Sequence, residues 1–184
     1  MPKLLNMTLT ALKQRIEKNP VYSIQRSYGF GMECTFTWSK PASIQAINQF
    51  EEAYGFVLPE DYKAFLTLHN GAELFQDIGS DSPHWHIFGL DEIEDALERY
   101  PTPAHVYIIA KYDQTLIGVD NTRVKMGAKS YLLDQSTYTS ARDDPEPMSL
   151  NFELWLDRLI AAQGDHYWFW NHIDPNNMFD GFPE

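Results

Sequence analysis

Val106-Tyr107-Ile108-Ile109-Ala110, Thr115 to Asp120 and Ser130 to Asp134 are β-rich segments that follow one another across linkers of only four and nine residues. A parallel crossover needs about a dozen residues or more, so neighbours joined this closely can pair only as antiparallel strands. Val106 to Ala110 is apolar without alternation, as befits a central strand buried on both faces. Trp85-His86-Ile87-Phe88 is a further short strand, ended by Gly89. The linkers thus predict a mainly antiparallel sheet.

Helical spacing surrounds these strands. From Thr8 to Lys18, Leu9, Leu12 and Ile16 recur on one face, behind Thr8 or Thr10 as a cap, and Asn19-Pro20 ends the segment. Val21 to Trp38 reads as extended chain broken at Gly29 and Gly31, as a hairpin or an edge strand. After Ser43, Ile44, Ile47, Phe50 and Tyr54 share a helical face. A second helix opens at Pro59, whose missing N–H costs nothing in the first turn, with Glu60 and Asp61 at the positive end of its dipole. Tyr62, Phe65, Leu66 and His69 form its inward stripe, and Asn70-Gly71 is read as its C-cap. An acidic helix runs from Asp91 to Arg99 with Ile93 and Leu97 as its apolar pair, and Ser136 to Pro147 is read as a loop. The last helix spans about Leu150 to Gln163, with Phe152, Trp155, Leu156, Leu159 and Ile160 inward. The expected class is therefore α+β, an antiparallel sheet with short helices packed against it.

Phe50-Glu51-Glu52-Ala53-Tyr54-Gly55-Phe56-Val57-Leu58-Pro59-Glu60-Asp61-Tyr62-Lys63-Ala64-Phe65-Leu66, closed by Asn70-Gly71, resembles the opening signature of the SUKH superfamily, the Smi/Knr type of domain. Trp85 to Ile93 is similar to that family's strand running into a short helix. Ile108-Ile109-Ala110 and Leu116 to Asp120 resemble its central strand pair, and Ser149 to Glu153 its closing element. The likeness covers roughly residues 43–163. Lys40-Pro41 reads as a boundary, which gives three parts: an N-terminal extension (1–40), a SUKH-like domain (41–164) and an aromatic tail (165–184), expected to dock on the domain because a free Tyr167-Trp168-Phe169-Trp170 run would expose a large apolar patch. Many bacterial members of that superfamily are immunity proteins of polymorphic toxin systems. The resemblance thus implies a protein that neutralises a cognate toxin, such as a nuclease. The alternative it offers is a regulatory interaction module of the cell-wall-regulator type.

Charge agrees with a binding role. The net charge is −12, and residues 1–40 hold +4 of it, so residues 41–184 carry −16. Such a body repels phosphate and would attract a basic protein. The candidate partner-binding residues are Asp91, Glu92 and Asp95 on the acidic helix; Glu73, Asp77 and Asp81 in one loop; and Asp143, Asp144 and Glu146 in another. Like charges at i, i+4 repel in the pairs Asp91–Asp95 and Glu94–Glu98, so the acidic helix carries more charge than capping requires.

Chemistry has less support. His84 and His86 flank Trp85, a spacing that can place two imidazoles on one side of a strand, and Asp77, Asp81 or His105 would have to supply a third metal ligand. That pair is the basis of a minor alternative, a metal-dependent hydrolase. Cys34 has no basic residue beside it in sequence to activate it and reads as a buried structural thiol. No Gly-x-Ser-x-Gly occurs, and Gly29-Phe30-Gly31 lacks the third glycine of a dinucleotide loop. The expectation is a non-enzyme without cofactor or metal, with no direct nucleic-acid or membrane partner. A single cysteine excludes an internal disulfide. The longest apolar run, Val106 to Ala110, is far too short to span a membrane, and Asn6, Thr8 and Thr10 interrupt any signal core. The expected location is the cytoplasm.

Overall fold

The computed structural model describes residues 2–135 and 146–172. Their strands are β1 (Tyr22–Gln25), β2 (Gly31–Trp38), β3 (Ala72–Asp77), β4 (Trp85–Ile87), β5 (Val106–Tyr112), β6 (Thr115–Asp120), β7 (Leu132–Asp134) and β8 (Glu146–Pro147). All are antiparallel, and their order across the sheet is their order in the chain. The helices are α1 (Lys3–Lys18), α2 (Ile44–Tyr54), α3 (Glu60–Leu66), α4 (Leu90–Arg99), α5 (Asn121–Lys125) and α6 (Phe152–Ala161). The expected α+β class with an antiparallel sheet is the observed one.

One face of the sheet carries the main core. Trp85, Ile87, Ala110 and Tyr107 fall on that face by register. Tyr62 and Phe65 of α3 meet Phe152 of α6 edge-on at 4.9 and 5.3 Å, and Trp155 of α6 meets Trp85 at 5.4 Å. All of these side chains are buried. The hairpin of residues 22–38 belongs to the same sheet, because β2 pairs with β3. α1 is tied to α6: Leu5 N–H donates to Glu153 Oε2 (3.2 Å) and Thr8 Oγ1 to Asp157 Oδ1 (2.6 Å). Thr8 is thus inside a helix that starts five residues before the expected position, with Leu5 as an added core residue.

Several local expectations are corrected. Ile44 is 70% exposed and Tyr54 lies on the surface, so the buried residues of α2 are Ile47 and Phe50, with Ala46 packed beside them. β3 is a strand where a loop was expected, so Glu73 and Asp77 leave the loop, and Asp81 alone stays in it. The reason is a bulge. Thr35 pairs with Gln76 and Thr37 with Glu73, so two residues of β3, Leu74 and Phe75, oppose one of β2. Phe75 takes φ +59° and both side chains are buried, which erases the alternation that marks a strand. Glu146 and Pro147 form β8 against β7, while residues 136–145 lie outside the described residues.

Asn70-Gly71 does not cap α3, which ends at Leu66 with Thr67 as its C-cap. It serves the start of α4 instead. Asn70 Oδ1 accepts the Leu90 N–H (3.0 Å), one of the first-turn donors that a helix cannot satisfy from within itself. Gly89 must stay small, since a Cβ there would lie 2.4 Å from the Asn70 carbonyl oxygen. Gly71 has φ +106°, and a Cβ on it would approach the Gly89 nitrogen at 3.1 Å and the Ile87 carbonyl at 3.2 Å. Gly71→Ala is therefore expected to cost about 1–2 kcal/mol from backbone strain and crowding. A urea denaturation midpoint equal to wild type would refute this.

Candidate functional site

The site begins with a row of polar side chains on the sheet face opposite the main core. By register, Glu73 of β3 lies beside His86 of β4, and His86 beside Lys111 of β5. α4 runs alongside, and Glu92, Asp95, Ala96 and Arg99 enclose a cleft of about 140 Å³ with His86, Phe88, Tyr100 and Lys111.

In and beside this cleft two histidines meet two carboxylates. His84 Nε2 lies 2.7 Å from Glu73 Oε2. His86 Nε2 lies 2.6 Å from Glu92 Oε1 and 3.6 Å from Glu73 Oε1. Glu92 Oε2 accepts the Gly89 N–H at 2.7 Å, so the same carboxylate helps to cap its own helix. Burial opposes charge on the His86 ring, but the hydrogen bond to Glu92 and the charges of Glu73 and Glu92 outweigh it and raise its pKa. Burial likewise pushes the Glu92 carboxyl up, and the bonds from His86 and the Gly89 N–H more than reverse this.

The candidate residues separate into groups. Asp91 and Asp95 are exposed on α4, as are Glu94 and Glu98. Glu92, named with Asp91 and Asp95 as a partner-binding candidate, is instead half-buried against His86, because its N3 position faces the Gly89 N–H. Glu73 joins Glu92 through His86. Asp77 is held in its own turn, accepting from the Gly79 N–H (2.8 Å) and Ser80 Oγ (2.7 Å), and these bonds lower its pKa. Asp81 is exposed in the loop after β3. Asp143 and Asp144 lie outside the described residues, and Glu146 stands opposite Asp134 at the β7–β8 pair.

The two histidines do share one side of the β4 segment, but Glu73 and Glu92 meet them, not Asp77, Asp81 or His105. Among the described residues no group of three or more His, Cys, Asp or Glu is arranged to hold a metal ion. Lys111, Arg99, Phe88 and Tyr100 in the cleft were not found by sequence reading. The i, i+2 histidines were the available signal, and it needed the register of β3 to become a site. Cys34 is buried and donates to the Tyr22 carbonyl (3.2 Å). Burial pushes its thiol up to about 11, with Arg26 opposing and Asp77 reinforcing, which keeps it protonated and poorly nucleophilic.

The tail begins in contact with the core. Trp85 Nε1 donates to the Gly164 carbonyl (2.8 Å), and Trp168 Nε1 to Asp134 Oδ2 (2.9 Å). Tyr167 and Trp168 are partly buried, whereas Phe169 and Trp170 are exposed. Residues 173–184 lie outside the described residues. Among the described residues no helix is long and apolar enough to cross a membrane.

An antiparallel α+β domain with a Leu-Pro helix start and an Asn-Gly turn bracing the next helix defines the class of protein. The chain belongs to the SMI1/KNR4 family (SUKH-1), whose model matches residues 41–169. It is 30% identical over 187 aligned residues to the uncharacterized protein YobM of Bacillus subtilis (strain 168), across 97% of this chain and 98% of that one. It is 32% identical over 147 residues to the uncharacterized protein YnaB of the same organism, across 78% of this chain and 92% of that one.

Proposed function

We propose that this protein is a cytoplasmic immunity protein that binds a basic cognate toxin, such as a nuclease, and masks its working surface without performing chemistry. The observation that carries this reading is the exposed acidic ridge of α4: Asp91, Glu94, Asp95 and Glu98 on one helix, in a chain of net charge −12. Like charges spaced i, i+4 repel each other, and a cationic partner relieves that repulsion on binding. Family membership supports the reading. Glu73 and Glu92 are already engaged by histidines, so the partner's Lys and Arg would meet Asp91 and Asp95, with Asp77 and Asp81 as a second contact.

The test is stopped-flow association with the toxin encoded beside this gene. Asp91→Lys, Asp95→Lys and Glu98→Lys together should leave folding intact, since all three side chains are exposed. They should slow association at low salt by about tenfold or more, and added salt should slow the wild type as well. A rate indifferent to both salt and the triple reversal would remove the electrostatic reading.

A further inference from the structure

We propose that His86 is a proton-controlled clamp, holding the first turn of α4 to the sheet by bridging Glu73 of β3 and Glu92 of α4 and gripping harder when its ring is charged. The bridge joins three elements at one imidazole nitrogen: Nε2 is 2.6 Å from Glu92 Oε1 and 3.6 Å from Glu73 Oε1. His84 Nε2 stands on the other side of Glu73, 2.7 Å from Oε2. Glu92 is also a helix cap, through the Gly89 N–H. Whatever changes the grip of His86 on Glu92 therefore acts directly on the start of α4.

The surroundings of the ring set the sense of the response. Glu73 faces it from β3, with His84 behind; Lys111 faces it from β5; Glu92, Asp95 and Arg99 line the cleft from α4. With the ring neutral, two carboxylates converge on an uncharged group. With the ring protonated, the same contacts become charge-assisted and the carboxylates are bridged. The raised pKa of His86 agrees with this, the carboxylates outweighing burial and Lys111.

The pH dependence follows from the signs. His86 has its folded pKa above the unfolded value of 6.5, so its contribution is full below 6.5 and is lost as pH rises through the folded value. Glu92 has its folded pKa below 4.5, so its contribution is present above 4.5 and is lost as pH falls through the folded value. The clamp is tightest between these limits and loosens on the alkaline side. Its consequence is that the acidic ridge of α4 is held more firmly in mildly acidic conditions. That consequence rests on the proposed binding face, whereas the clamp itself does not.

The experiment is an NMR titration of the histidine ring and backbone amide signals of the full chain, in wild type, Glu92→Gln and Glu73→Gln. In wild type, His86 should titrate with a midpoint above 6.5, and the Gly89 and Leu90 amides should move with the same midpoint. Glu92→Gln keeps an oxygen for the Gly89 N–H but removes the charge, and should bring the His86 midpoint down to 6.5 or below. Glu73→Gln should lower it by less, and it supplies the answer if Glu92→Gln fails to fold. A wild-type midpoint at or below 6.5, a midpoint unmoved by both substitutions, or Gly89 and Leu90 amides that stay flat would each overturn the clamp. Toxin association measured on either side of the His86 midpoint is a separate arm. A confirmed midpoint with an unchanged association rate keeps the clamp and removes its link to the binding face.

Discussion

Asp61→Ala is expected to destabilise the protein by about 3–5 kcal/mol, because it breaks a buried polar knot that joins two helix starts. Asp61 is 7% exposed. Its Oδ1 accepts the Tyr131 hydroxyl and the Tyr62 N–H, and its Oδ2 accepts the Glu153 N–H at 3.0 Å. Tyr131 in turn accepts the Phe152 N–H at 2.9 Å. One carboxylate thus serves the N-termini of both α3 and α6, where helix dipoles favour a negative charge. Burial, reinforced by Asp61, holds the Tyr131 phenol well above the usual range, so it remains a donor. Alanine would leave three donors facing an empty space. Asp61→Asn keeps one acceptor and should cost less. Urea denaturation checks the order, and an alanine variant within about 1 kcal/mol of wild type would show that the knot contributes little.

Trp85→Ala should have a comparable effect, about 3–5 kcal/mol, through the cavity it leaves. Trp85 is fully buried, with Tyr112, Trp155, His166 and Trp168 around it at ring separations of 5.2–5.8 Å. Its indole N–H also holds the Gly164 carbonyl, where the chain leaves α6 with φ +83°. The substitution should therefore loosen the segment from Gly164 to Trp168 as well as the core. Trp85→Phe retains most of the packing and loses only the hydrogen bond, so it should cost about 1–2 kcal/mol. Amide hydrogen exchange at residues 164–168 reads the local effect. Equal losses in both variants would place the indole N–H above the packing.

The central strands were legible because their apolar runs and short linkers admit one pairing. β5, β6 and α6 were found near their observed bounds for that reason. β3 was not, because Phe75 departs from the strand conformation and turns inward beside Leu74. α5 was missed because five residues present no periodicity to read. Asn70-Gly71 was correctly seen as a structural signal and assigned to the wrong helix. A glycine's positive φ is a local property, but the partner that requires it, Gly89, is 18 positions away in the sequence. The site has the same character. Acidity of the 91–98 segment was plain, yet Glu92 turns inward to the Gly89 N–H and His86, and Glu73 reaches the same ring only through strand pairing.

The pairing of α1 with α6 carries a consequence for synthesis. Every strand finds its partner next to it in the chain, so the sheet can zip together as the polypeptide lengthens. α1 cannot follow suit. Leu5 and Leu9 lie in the common core, and Leu5 N–H and Thr8 Oγ1 donate to Glu153 and Asp157. α1 can meet Tyr22, Trp38 and His69 as soon as those segments form, but its hydrogen bonds to α6 wait for residues 153 and 157. Closure of the fold thus depends on a contact between segments about 150 positions apart, the loop that these two hydrogen bonds close.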